Sequence, residues 1–239
     1  MRMKLLVISD LHLCDVRNHA GRDETCFEKL ALFIKEKQVD AVMNLGDTVS
    51  RHPLLDPKYR SIPEAYQVYL KWKAQFDIPF AECAIPREKD FFEELMGVPT
   101  DAFIELEDML LVTMMPESGN GYALSETQQE FLLQALEKGK EKTVVIGTHI
   151  PYPRSCSRTV APGIFLDIPE ELHRKLVSFP GRVVWCGGHF HWEQEPPRVE
   201  GALTALFASR IRIDTRDDTT YTSMIDSETG KVTFDFHDF

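Results

Sequence analysis

Apolar and polar positions alternate in blocks along the chain. Residues 3–9 form a continuous apolar run of strand length, followed by a polar segment over 10–22. From Asp23 the period changes. Phe27, Leu30, Ala31 and Ile34 recur at i, i+3, i+4 and i+7, which places them on one helical face. Residues 40–45 form a second strand run, closed by Gly46 and Asp47. Ser61, Ile62, Pro63 and Glu64 read as a capping box with proline in the first turn, opening a helix to residue 76. Residues 80–85 are a third short apolar strand, followed by Pro86 and a helix that Gly97 stops.

The second half repeats the pattern. Residues 103–106 and 109–113 predict a hairpin. Ser125, Glu126, Thr127 and Gln128 form a second capping box, with Phe131, Leu132 and Ala135 on one face. Residues 143–147 and 182–186 are further buried strands, separated by a helix over 169–178. The tail reads as strand after strand, at 202–208, 221–225 and 232–236. No repeat and no linker-like shift in composition divides the chain. The expectation is an α/β fold with a mixed sheet system, residues 1–239 forming a single domain.

Composition narrows the class. The 239 residues carry an acidic excess that sums to −11 at pH 7, and 43% are hydrophobic. Such a chain buries a core without crosslinks and is poorly suited to the phosphate backbone of a nucleic acid or to an anionic membrane. The five cysteines are widely spaced with no C-x-x-C pair, which fits reduced thiols. Ser9 and Asp10 end the first apolar run too early for a signal peptide, and no stretch reaches the roughly 18 apolar residues of a membrane span. The expected location is cytoplasmic.

Chemistry collects just past the strand ends, where sites form in α/β sheets. Asp10 and His12 follow the first strand, and Gly46 and Asp47 the second. His149 follows the 143–147 strand, and Gly188, His189 and His191 the 182–186 strand. Imidazoles mixed with carboxylates suit Mn, Fe and Zn. In Asp-x-His and His-x-His, an extended chain sends i and i+2 to the same side. Each pair alone is weak. Their joint, ordered placement predicts a metal site.

These motifs resemble those of the calcineurin-like metallophosphoesterases, in order: Asp-x-His (Asp10, His12), Gly-Asp (Gly46, Asp47), Gly-Asn-His-Asp/Glu, a lone His (His149) and Gly-His-x-His (Gly188, His189, His191). The likeness runs over about residues 3–210 and is greatest to the compact bacterial branch that includes cyclic-nucleotide phosphodiesterases. It implies two packed mixed β-sheets flanked by helices. It also implies two divalent ions (Mn, Fe or Zn), with Asp10, His12 and His191 on the first, His149 and His189 on the second, and Asp47 bridging. Two metals roughly 4 Å apart can activate a hydroxide for in-line displacement at phosphorus.

The third motif departs from the pattern. Here Pro86, Arg87, Glu88, Lys89 and Asp90 follow the apolar strand. Aligned on that strand, Glu88 replaces the asparagine ligand, and Lys89 replaces the histidine as an electrostatic clamp on the phosphoryl group. A one-residue slip would change both assignments. His52, Arg154 and Arg158 follow metal-binding positions and are further phosphate-contact candidates. The function implied is hydrolysis of small phosphomonoesters, phosphodiesters or nucleotides. The alternative is a catalytically weakened, metal-binding homologue serving as a scaffold or partner subunit.

Overall fold

The computed structural model describes residues 3–16, 22–51, 54–119, 121–153, 155, 164–190, 195–208, 219–229 and 231–238. In chain order, the first half runs β1 (Lys4–Ile8), α1 (Arg22–Lys37), β2 (Ala41–Asn44), α2 (Ile62–Lys73) and β3 (Phe80–Glu82). A 3-10 turn (Pro86–Glu88) follows, then α3 (Phe92–Met96), β4 (Ala102–Glu105), β5 (Met109–Met114), β6 (Glu117–Ser118) and β7 (Tyr122–Ala123). The second half runs α4 (Glu126–Lys138), β8 (Thr143–Thr148), β9 (Leu166–Asp167), α5 (Glu170–Val177) and β10 (Arg182–Gly187). It closes with β11 (Arg198–Glu200), β12 (Leu203–Phe207), β13 (Thr219–Asp226) and β14 (Val232–Asp238).

Two mixed sheets result, as the sequence predicts. The first has the order β14-β13-β1-β2-β3 and the second β11-β12-β10-β8-β5-β4. Period-2 alternation decides which side chains meet. Leu5, Val7, Ala41 and Met43 face Met109, Leu111, Val145 and Val184 of the second sheet. Leu6, Ile8 and Val42 face outward, where Phe27 and Leu30 of α1 and Tyr66, Tyr69 and Trp72 of α2 cover them. Val144, Ile146 and Trp185 likewise meet Leu132 and Leu136 of α4 and Leu172 and Leu176 of α5. The central strands β1, β2, β3 and β5, β8, β10 run parallel, so their carboxyl ends gather on one edge.

Local signals held in part. At α4 the capping box is complete, with Ser125 accepting from the Gln128 N–H and Gln128 accepting in return. At α2 only half forms. Ser61 accepts from the Glu64 N–H at 3.3 Å, but Glu64 reaches past it to the Arg60 N–H at 2.7 Å. The expected helix after Pro86 is a single 3-10 turn, and the α-helix starts only at Phe92. The predicted hairpin β4-β5 is antiparallel as expected. Unpredicted is a small sheet, β6-β7-β9, built from two-residue strands too short to carry a period. No helix is long and apolar enough to cross a membrane among the described residues.

Candidate metal centre

Past their last paired residues, β1 and β2 keep running side by side. The Asp10 N–H donates to the Gly46 carbonyl at 3.0 Å, the His12 N–H to the Asp47 carbonyl at 3.1 Å and the Leu13 N–H to the Thr48 carbonyl at 2.8 Å. This ladder fixes Asp10 and His12 in register with Asp47. The two motif residues do not converge through extended alternation. Asp10, His12 and Asp47 all take left-handed backbone, at φ 52°, 47° and 52°. Non-glycine residues pay about 1–3 kcal/mol for such conformations, which persist where surrounding bonds over-determine them and cluster at functional sites. His189 is left-handed too, at φ 71°.

Two glycines make room. Gly46 has φ +91°, and a Cβ there would lie 2.9 Å from the Cys83 carbonyl oxygen. A Cβ on Gly188 would lie 2.0 Å from Ser9 Oγ and 2.9 Å from Asp10 Oδ2. The chain after β10 therefore packs directly onto Asp10. Asp10 is fully buried, and its Oδ2 accepts from the Ser9 hydroxyl and, at 2.9 Å, from the His189 N–H. Its Oδ1 lies 3.8 Å from His12 Nε2, which in turn is 3.6 Å from Asp47 Oδ2. Donor atoms of Asp10, His12 and Asp47 all lie within 4.8 Å of one another.

The second sheet supplies the histidines. His149 follows β8, and its Nδ1 lies 3.0 Å from the Leu45 carbonyl oxygen. A carbonyl only accepts, so Nδ1 is the nitrogen that carries the proton in the neutral ring and Nε2 the one left with a lone pair to ligate. The His149 and His189 rings meet edge to face with centroids 5.1 Å apart. His191 lies outside the described residues, as do His52, Arg154 and Arg158.

The third motif sits differently from its alignment. Lys89 is exposed and is absent from the residues lining the cleft. Glu88 is fully buried, turned away to accept from the Tyr66 hydroxyl at 2.7 Å, and its other oxygen has no partner. Burial outweighs both that bond and the nearby Arg87 charge, pushing the Glu88 carboxyl up to about 7. Arg87 is the residue that enters the cleft. Its guanidinium donates to the Asp47 carboxylate and, at 3.0 Å, to the Val49 carbonyl. Residues three apart align in a 3-10 turn, so neighbours point about 120° apart and a slip of one or two positions exchanges cleft for core. Behind the site, Glu82 accepts from Tyr69 at 2.9 Å and Asn44 at 3.0 Å and pairs with Lys73 at 2.8 Å.

His12, Asp47, Arg87, His149 and His189 line a cleft of about 480 Å³, together with Arg51, Ser118 and Tyr122. Leu54, Ile85 and Ile150 supply apolar wall. The 49–61 segment borders the site through Arg51 and Leu54. Ser118 and Tyr122 come from the unpredicted small sheet. The signal for Arg87 was its place directly after the proline that ends the strand segment.

The donor set fits a divalent cation. Carboxylate oxygen and neutral imidazole are the ligands that hard and borderline ions take, and the Leu45 and His189 backbone contacts hold two of the donors in place. Comparison with known proteins agrees. The family model described as calcineurin-like phosphoesterase matches residues 3–193. A dimetal phosphatase from Danio rerio superposes with a TM-score of 0.69 at 13% identity, covering 98% of both chains. A putative 5'-nucleotidase from Staphylococcus aureus gives 0.57 at 10% identity, over 98% of this chain and 53% of that one. A search of curated proteins by sequence gives no match.

Proposed function

The chain belongs to the calcineurin-like phosphoesterase family and is a metal-dependent hydrolase of phosphoric esters; from that premise we propose that it cleaves small phosphomonoesters or phosphodiesters at a dinuclear centre. Asp10 and His12 would hold the first ion, with His191 joining them only as the family resemblance implies, His149 and His189 would hold the second, and Asp47 would serve both. The observation that carries this reading is the convergence of Asp10, His12 and Asp47 donors within 4.8 Å at the strand ends, beside His149 and His189.

When bound, such ions supply Lewis acidity toward the phosphoryl oxygens and acidify a water. The chain's own residues do the rest. The Leu45 contact presents His149 Nε2 as a lone-pair nitrogen. Arg87 takes the clamp role expected of Lys89, and Arg51 adds a second positive charge along the cleft. A guanidinium serves as a charge clamp rather than as a general acid, so leaving groups that need protonation depart slowly. Ile85, Leu54 and Tyr122 offer apolar surface to the leaving group, in a cleft of small-molecule size. Manganese or iron suits a first position that mixes carboxylates with imidazole. Four buried cysteines among the described residues, Cys14, Cys26, Cys83 and Cys186, are consistent with the reducing, cytoplasmic setting proposed, and the core shared by both sheets supports one domain. Glu88 and Lys89 lying off the cleft favour the weakened-homologue alternative, which a substrate panel distinguishes. With Mn²⁺ supplied, small aryl phosphoesters should be hydrolysed well, nucleotides more slowly because their alkoxide leaving group needs a proton, and a phosphoserine protein poorly. Efficient phosphoprotein hydrolysis without small-ester turnover contradicts the substrate class, and turnover of none of them selects the scaffold reading.

A further inference from the structure

We infer that Arg87 guards the second ion's side of Asp47, so that the centre loads one divalent ion tightly and the other only in competition with this guanidinium. The inference rests on the reading that Asp47 serves both ions. The two oxygens of Asp47 face different partners. Oδ2 lies 3.6 Å from His12 Nε2, on the Asp10 side, whereas Oδ1 accepts from Arg87. A carboxylate that would offer one oxygen to each of two cations needs both oxygens clear of other partners, and the guanidinium covers one of them.

Three features hold Arg87 in that place. Pro86 fixes the start of the 3-10 turn that aims it, the Val49 carbonyl accepts a second bond from the same nitrogen at 3.0 Å, and the side chain is only 26% exposed. Its Nε is buried with no hydrogen-bond partner, so the side chain is not fully satisfied where it sits and has a polar group to gain by moving. Opposing cations raise the cost of the second ion further, because a fixed +1 charge stands where a +2 charge must approach. The turn also withdraws the residue that could compensate. Glu88 points into the core to Tyr66, so it offers the second ion no anionic donor beside Asp47. The same guanidinium therefore has two mutually exclusive tasks: holding Asp47 in the lightly loaded chain, and facing the phosphoryl group once a second ion has displaced it.

The test is Mn²⁺ binding to the chelator-stripped full chain. Free Mn²⁺ is followed by electron paramagnetic resonance, with bound metal counted by mass spectrometry, for wild type, Arg87→Ala and Arg87→Lys. The expected wild-type isotherm is biphasic, and an exchange-coupled Mn pair signal appears only in its second phase. Arg87→Ala should tighten the weaker step by about 10- to 100-fold, the worth of one hydrogen bond to a charged group, with Arg87→Lys in between. Two equal tight steps in wild type, or a weaker step indifferent to both substitutions, overturns the inference while leaving the centre in place. Mn²⁺ binding that survives intact in Asp47→Ala overturns the centre itself, and with it the role of Arg87.

Discussion

His149 Nδ1 lies 3.0 Å from the carbonyl oxygen of Leu45, a bond that crosses from the second sheet to the first. It ties the residue after β8 to the loop that carries Asp47, and it fixes which imidazole nitrogen is free. His149→Ala should therefore lower metal affinity by at least about tenfold. His149→Gln should fail to restore it, since its amide cannot keep both the backbone bond and a lone-pair nitrogen in that place. Bound metal after dialysis against a weak chelator reads this directly. Wild-type content in either variant contradicts it.

The close approach of β10's loop to Asp10 makes Gly188 sensitive. A Cβ at 2.0 Å from Ser9 Oγ and 2.9 Å from Asp10 Oδ2 forces the Ser9 hydroxyl, Asp10 or the loop backbone to shift. Gly188→Ala should cost about 1–3 kcal/mol in denaturant unfolding, as overpacking does. It should also lose metal, because the displaced groups are the ones that orient Asp10. Unchanged stability and metal content would show that the loop does not pack as described.

Much of this was legible in the chain. The buried strands β1, β2, β8 and β10 appear as apolar runs, and the ligand-type residues stand directly after them. The complete capping box at Ser125 marks α4 to the residue. What the sequence hid is orientation. Asp10 and His12 converge through left-handed backbone rather than through strand alternation, and no pattern of residue types reports φ. Within the turn Pro86–Glu88, the side that each residue faces depends on a rotation that counting from the preceding strand cannot fix, so the aligned motif points to Lys89, which is exposed, while Arg87 lines the cleft. The small sheet that brings Ser118 and Tyr122 to the cleft rests on two-residue strands, which have no periodicity to read.

Arg87 and Lys89 separate cleanly by kinetics. With Mn²⁺ saturating, Arg87→Ala should lower kcat/KM for p-nitrophenyl phosphate by about 10²- to 10³-fold, the usual loss on removing one preorganised donor. Lys89→Ala, exposed and off the cleft, should stay within about twofold of wild type. Reversal of that order would restore the original alignment of the third motif.

Glu88 gives the metal-free chain a pH signature. Its carboxyl is raised from 4.5 to about 7 by burial, so between those values the folded chain binds a proton that the unfolded chain has released. Stability from this group is therefore greatest below 4.5, falls as pH rises to about 7, and is level above it. The loss is on the order of 3 kcal/mol. Glu88→Gln should flatten this part of the profile in urea unfolding with chelator present. A wild-type slope that persists in the variant would assign the titration elsewhere.

The central claim is that phosphoester hydrolysis depends on divalent metal held through Asp47. Its most direct test is the rate of p-nitrophenyl ester hydrolysis by wild type and Asp47→Ala, each stripped with chelator and then resupplied with Mn²⁺. Wild-type activity should vanish on stripping and return with Mn²⁺, and Asp47→Ala should stay inactive throughout. Hydrolysis by the stripped wild type, or full recovery in Asp47→Ala, would contradict it.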